Sequence, residues 1–325
     1  MARAVAWALL LVATAAAAFW FLGPREPVAV AAPVAPEALG DLDRHFADAE
    51  ARFDDIVPGT EKRVLWAGAP GARTDLAILY VHGFSATSEE IRPVPDRVAG
   101  ALGANLVFTR LQGHGRGGAA MAEASVAGWM SDLAEGLAAA RAAGDRVVVI
   151  ATSTGATLVT LALGRPELAE GVAGVVLVSP NYALHGRFAG LLTWPAARIW
   201  LSWILGPTRG FEPRNEAHAR YWTQSYPVEA LLPMAALVAH VRRLDPGGIG
   251  VPALFWFSDD DQVVRADATR AVAARWGGAV RLHPVSPGST DDPAAHVLAG
   301  DILSPGLTDA AATAITAWIR ALPEG

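Results

Sequence analysis

A serine between small residues, at a point where a strand pattern turns into a helix pattern, is the strongest chemical signal in the chain. In Val147-Val148-Val149-Ile150-Ala151-Thr152-Ser153-Thr154-Gly155-Ala156-Thr157, four consecutive β-branched residues predict a parallel strand covered on both faces. Thr154 to Leu163 is helix-compatible until Gly164-Arg165-Pro166 stops it. Ala151 and Gly155 allow the sharp turn that leaves Ser153 projecting from the top of a sheet, a candidate nucleophile with the Thr154 amide free to bind an oxyanion. The pattern is Ala-x-Ser-x-Gly, one methyl group away from Gly-x-Ser-x-Gly.

A serine hydroxyl is a poor nucleophile at neutral pH. It needs a base to take its proton and an acid to orient that base. Three further segments supply these groups. The strand pattern Asp75 to Val81 ends in His82-Gly83-Phe84-Ser85, ahead of a helix predicted from about Ser88 to Leu102. The glycine there lets backbone N–H groups face a ligand, so the Phe84 amide is the expected partner of Thr154 in an oxyanion hole. The strand pattern Pro252 to Phe257 delivers Asp259, Asp260 and Asp261 to its C-terminal end. After the short strand Val280 to Pro284, a loop holds Asp291-Asp292-Pro293-Ala294-Ala295-His296 before a closing helix at Thr308 to Leu322, and His296 is the candidate base. Other histidines read as structural. His82 and His114 lie in Gly-containing loops as hydrogen-bonding groups, while His240 and His283 fall within apolar or strand patterns. Asp259 and Asp260 read as solvated loop or cap residues.

With these residues in view, the chain resembles the α/β-hydrolase superfamily, and within it the monoacylglycerol-lipase-like and carboxylesterase-like branch. The order Ser153, Asp261, His296 is the order that superfamily uses. The resemblance extends over roughly residues 60 to 322 and includes the His82-Gly83 loop and Arg110-Leu111-Gln112-Gly113-His114-Gly115 after the strand Asn105 to Thr109. It favours Asp261 as the acid, because the family places its acid just before a pair of β-branched residues, here Val263-Val264. It implies a mostly parallel sheet flanked by helices, with a helical cap inserted over the site.

Composition agrees. The chain has 325 residues and is 52% hydrophobic, enough for one α/β domain with a fully buried sheet and an insertion. A net charge of −6 argues against a nucleic-acid partner. The absence of cysteine excludes disulfides, thiolate metal sites and a cysteine nucleophile. No metal cluster or phosphate loop is present in the sequence, and no cofactor is expected.

The N-terminus is a separate object. After Met1-Ala2-Arg3, residues Ala4 to Pro24 carry no charge, a length that crosses a bilayer as a helix. With Arg3 on the cytoplasmic side, an uncleaved signal anchor places the rest of the chain outside the inner membrane. Small residues at Ala15-Ala16-Ala17 and Val28-Ala29-Val30-Ala31 leave open a cleaved signal peptide and export. Phe19-Trp20-Phe21 has the look of an interfacial girdle. The expected organisation is a signal anchor or signal peptide at 1–23, a Pro/Ala-rich linker at 24–40, and a hydrolase domain at 41–325 beginning with a helix at Leu42 to Phe53. Its cap insertion is expected at about 182–245.

The insertion holds Trp194, Trp200, Trp203 and Trp222. Trp200 and Trp203 are the expected acyl-binding roof, with plain packing of the cap as the competing reading. The helix expected over Pro227 to Leu244 is interrupted in sequence by Pro233. The reading is a serine hydrolase acting on small or lipid-like carboxylic esters, monoacylglycerol-like or of short-to-medium acyl chain. Alternatives are an acyltransferase or peptidase using the same residues, or a catalytically silent binding module.

Overall fold

The computed structural model describes residues 1–186 and 189–323. In chain order the strands are β1 (Arg63–Leu65), β2 (Thr74–Val81), β3 (Asn105–Phe108), β4 (Gly144–Thr152), β5 (Val172–Val178), β6 (Thr208–Gly210), β7 (Ser225–Pro227), β8 (Ala253–Phe257) and β9 (Val280–Pro284). The helices are α1 (Ala2–Leu22), α2 (Leu42–Glu50), α3 (Val94–Leu102), α4 (Val126–Ala143), α5 (Ser153–Leu163), α6 (Pro166–Ala169), α7 (Ala197–Leu205), α8 (Glu216–Tyr221), α9 (Leu231–Val241), α10 (Ala266–Ala273) and α11 (Thr308–Arg320).

Seven strands form one sheet in the order β1-β3-β2-β4-β5-β8-β9, with every pair parallel except β1 against β3. The unbroken apolar runs follow from covering both faces. Alternate residues point to opposite layers. Ala77, Leu79, Val147, Val149, Val175 and Leu177 pack with α4, α5 and α9. Ile78, Tyr80, Val148, Ile150, Val176 and Val178 pack with α3 and α11. The strand order reverses between β2 and β4, which opens a crevice beyond their C-terminal ends.

Several elements differ from their sequence reading. The helix expected from Ser88 begins only at Val94, because Pro93 disfavours the helical region for Arg92 before it, whereas Pro95 sits in the first turn, where its missing N–H costs nothing. Pro233 does not interrupt α9. It is the third helical residue, where its missing N–H has no intrahelical partner to lose. The cap is not purely helical, since β6 and β7 form an antiparallel hairpin within it, and its last piece, α9, buries Leu237 and Val238 in the main core.

The stretch at 24–40 is not a free linker. Val28, Val30, Ala31 and Val34 pack against the core beside the buried Leu39, so it lies along the domain as a strap. Helix α2 continues that attachment. Glu50 meets Arg110 in a buried two-oxygen ion pair at 2.7 and 3.0 Å. Helix α1 has no buried residue among its 21 and is long and apolar enough to cross a bilayer.

Candidate active site

Ser153 occupies the bend between β4 and α5 with φ of 49°, a left-handed conformation costly for a residue other than glycine. The bend is held from both sides. Ser153 O accepts from the Asn181 amide at 3.1 Å and from Thr157 Oγ1 at 3.3 Å. Gly155 has no freedom to be larger, since an added Cβ would lie 2.6 Å from Val81 O. The small-residue spacing seen in sequence is thus a packing requirement of α5 against the end of β2.

The structure brings the three sequence-derived residues into one line. His296 Nε2 lies 3.0 Å from Ser153 Oγ, and His296 Nδ1 lies 2.8 Å from Asp261 Oδ2. With the carboxylate accepting from Nδ1–H, Nε2 is left as the acceptor for the serine proton. Asp261 Oδ1 accepts the amides of Val263 and Val264 at 2.8 and 2.9 Å. The residues after Asp261 therefore hold its carboxylate through their N–H groups. Asp259 instead pairs with Arg270 at the surface, at 2.6 and 2.9 Å. Asp260 is exposed.

Burial opposes a charge on His296, but the hydrogen bond and charge of Asp261, with Glu90 and Asp292 behind them, outweigh it and raise its pKa above the ordinary histidine value. Asp292, unremarked in sequence, organises the loop that carries the histidine. It accepts the amides of Ala294 (3.1 Å), His296 (3.2 Å) and Val297 (3.0 Å).

The Phe84 and Thr154 amides flank Ser153, and among the described residues neither donates a hydrogen bond to the protein. Phe84 is fixed by its ring, which meets Tyr226, His114 and Trp129 edge-on at centroid distances of 5.2, 5.8 and 6.5 Å. His82 accepts the Leu111 amide through Nε2 at 3.1 Å and donates through Nδ1 to Gly83 O at 2.9 Å. Burial keeps its pKa well below the ordinary value, and brings that of His114 down to about 4. Both are neutral scaffold groups.

Glu90 is the functional candidate that sequence reasoning missed. It is 3% exposed, and its Oε2 accepts the Gly83 amide at 2.7 Å and the Tyr80 hydroxyl at 3.0 Å. Its carboxyl lines the same cavity as Ser153 and His296. Burial pushes its pKa up to about 7 against those two hydrogen bonds and the pull of His296. Its one visible sign in sequence is an acidic residue seven positions after Gly83, which has no meaning until the chain folds back.

The cavity measures about 450 Å³ and is walled by Leu184, Phe211, Trp222, Tyr226, Leu231 and Met234, among others. Trp200 and Trp203 are not part of it. Trp203 is 81% exposed, and Trp200 donates to Pro195 O at 2.8 Å while packing on the small cap core around Leu201 and Leu232. The roof expected of them is supplied by side chains from the hairpin, α8 and α9.

The sheet order, the bend at Ser153 and the chain order of the three aligned residues define an α/β hydrolase of the serine-hydrolase, monoacylglycerol-lipase-like kind. A family model described as serine aminopeptidase, S33, matches residues 72–286, and the chain belongs to that family. It is 28% identical over 191 residues to a thermostable monoacylglycerol lipase from Bacillus sp. (strain H-257), covering 58% of this chain and 72% of that one. Solved structures share the fold. One, from work on the metagenome-derived lipolytic enzymes LipS and LipT, has a TM-score of 0.66 at 20% identity over 82% of this chain and 99% of its own. A soluble variant of monoglyceride lipase from Saccharomyces cerevisiae has a TM-score of 0.60 at 11% identity over 82% and 96%. The relatives support ester hydrolysis as the general activity.

Proposed function

We propose that the chain is a membrane-anchored serine esterase that cleaves monoacylglycerol-like or other short-to-medium acyl esters through an acyl-enzyme on Ser153. The observation that carries this reading is the 3.0 and 2.8 Å line from Ser153 through His296 to Asp261, beside two unpaired amides. In the first half-reaction His296 takes the Ser153 proton as Oγ attacks the ester carbonyl. The oxyanion then points at the Phe84 and Thr154 amides, and His296 returns the proton to the departing alcohol. Water, deprotonated by the same imidazole, releases the acid. Asp261 holds the tautomer and stabilises the imidazolium. The apolar cavity wall fits an acyl chain, at roughly 0.8 kcal/mol per buried methylene.

The uncharged run from Ala4 to the end of α1, with Arg3 in the first turn of that helix, supports an anchor in the inner membrane with the catalytic domain on the extracytoplasmic side. Export after cleavage is the competing reading. The test of the chemistry is a fluorophosphonate adduct mapped by mass spectrometry, together with a panel of p-nitrophenyl esters, glycerides and aminoacyl amides. The adduct is expected on Ser153, and Ser153→Ala is expected to lose about 10⁴-fold or more in kcat. Labelling at Ser85, or retained turnover in Ser153→Ala, would refute the mechanism. Preference for the amides would move the activity to a peptidase.

A further inference from the structure

The end of α1 and the residues that follow it are joined to the start of the cap by contacts of three kinds. In the backbone, Ala196 N donates to Pro24 O at 2.6 Å. Gly23 approaches so closely that an added Cβ would lie 2.6 Å from Pro195 Cβ. Among the aromatics, Trp20 meets Trp194 edge-on at 5.5 Å, and Trp194 meets Trp200 at 6.3 Å. Among the charges, Glu26 holds Arg198 through both carboxylate oxygens at 2.7 and 3.2 Å. Arg25 donates to Thr193 O at 2.6 Å and to Trp20 O at 2.9 Å. Ala196, the residue before α7, sits at φ of 53°, a strained conformation that persists only where surrounding contacts over-determine it.

Beyond this junction α7 presents an apolar face to solvent. Ile199, Trp203 and Ile204 are 63%, 81% and 64% exposed, while Leu201 on the opposite side is fully buried. Ile199 and Trp203, four residues apart, share one side of the helix, and Ile204 extends the exposed surface at its last turn. Trp203 lies about 8 Å along the axis from Arg198, comparable to the roughly 5–8 Å depth of a lipid headgroup layer. The groove between the end of α1, the cap loop and α9 is lined by Trp20, Trp194, Arg25 and Arg243. Among the described residues neither arginine pairs with a carboxylate. Tryptophans beside uncompensated cations, next to an uncharged span, are the composition of a bilayer interface.

We propose that residues 20–26 clasp the cap to the membrane anchor and so seat the Ile199, Trp203, Ile204 face of α7 in the lipid surface that α1 spans. This rests on the anchored reading given above. The N-terminal segment is then a working part of the cap.

The chain contains no cysteine, so a single introduced one can be labelled uniquely. Full-length Trp203→Cys, carrying an environment-sensitive dye and reconstituted in phosphatidylcholine and phosphatidylglycerol vesicles, is expected to shift to the blue. Lipids with a shallow nitroxide should quench it severalfold. The same dye at Asp267→Cys should show neither effect. Adding Glu26→Arg, which faces Arg198 with a like charge, is expected to abolish the quenching while the protein still sediments with vesicles. The further change Arg198→Glu should restore it. A water-exposed dye in a membrane-bound protein would overturn the proposal and leave the anchor standing. Failure of the full-length chain to enter membranes would instead remove the reading on which it rests. Quenching indifferent to Glu26→Arg would overturn the clasp. Self-quenching between labelled copies without lipid quenching would make the face a contact between copies and overturn the membrane seat.

Discussion

Replacing Glu90 by glutamine removes a buried carboxyl beside Ser153 while keeping an acceptor for the Gly83 amide and the Tyr80 hydroxyl. The effect on His296 can be sized from the structure. The ideal Cβ position of Gly83 lies 2.8 Å from Glu90 Oε1 and 3.2 Å from Ser153 Cβ, and Ser153 Oγ lies 3.0 Å from His296 Nε2. At a charge separation of about 10 Å and an effective dielectric near 20, Coulomb's law gives roughly 1.7 kcal/mol, or about 1.2 pKa units. Glu90 itself titrates at about 7, so below about pH 8 it carries only part of its charge. The expected effect is about half of that or a little more. A carboxylate favours the imidazolium, so its removal frees the base at lower pH. The acidic limb of kcat/KM on p-nitrophenyl butyrate, measured from pH 5 to 9, should therefore move down by about 0.5–1 unit in Glu90→Gln. Stability provides a second arm. The folded Glu90 holds a proton between its ordinary value of 4.5 and about 7, whereas the unfolded chain releases it, so wild-type stability falls as pH rises through that window. Glutamine does not titrate. The variant should gain up to about 3 kcal/mol over wild type between pH 4.5 and 8. A limb that stays in place or moves upward, with wild-type stability flat across the window, would refute the placement of Glu90 against the relay.

Two further substitutions test the frame around the relay. Asp261→Asn should lower kcat by about 10³–10⁴-fold at unchanged fold, while Asp259→Asn, which loses only a surface pair with Arg270, should stay within about tenfold. Steady-state kinetics on purified, circular-dichroism-matched proteins decide between them, and the reverse ranking would move the acid. Glu50→Ala leaves Arg110 buried without its partner and should cost about 3–5 kcal/mol in urea unfolding. A loss below about 1 kcal/mol would show that α2 is not tied to the domain as described.

Much of this was legible in residue order because it depends on short-range rules. A strand covered on both faces must be a continuous apolar run, so β2 and β8 were visible to within a residue and β4 from Val147 onward. The Ser153 bend showed itself because only small neighbours fit there. His296 and the Asp259-Asp260-Asp261 run could be placed because each follows a strand, and strand ends in a parallel sheet converge on one edge; the choice of Asp261 among the three came from the resemblance to the α/β-hydrolase superfamily. Groups whose meaning is a contact across the chain were not legible. Glu90 reads as one acid among several until β2 and the turn before α3 lay it on Gly83. Asp292 reads as a loop acid until its carboxylate gathers the His296 backbone. Trp200 and Trp203 looked like a roof because they lie in a cap rich in tryptophan, yet whether α7 reaches the cavity at all depends on how the cap docks. Composition is blind to that. The strap at 24–40 likewise looked unstructured, since proline and alanine suit a tether, and only packing on the folded domain half-buries Val28 and Val30. Local sequence determined which elements form and where chemistry can sit at their ends; long-range packing alone decided which carboxylates and tryptophans stand near that chemistry, because burial and charge are properties of neighbours distant in the chain.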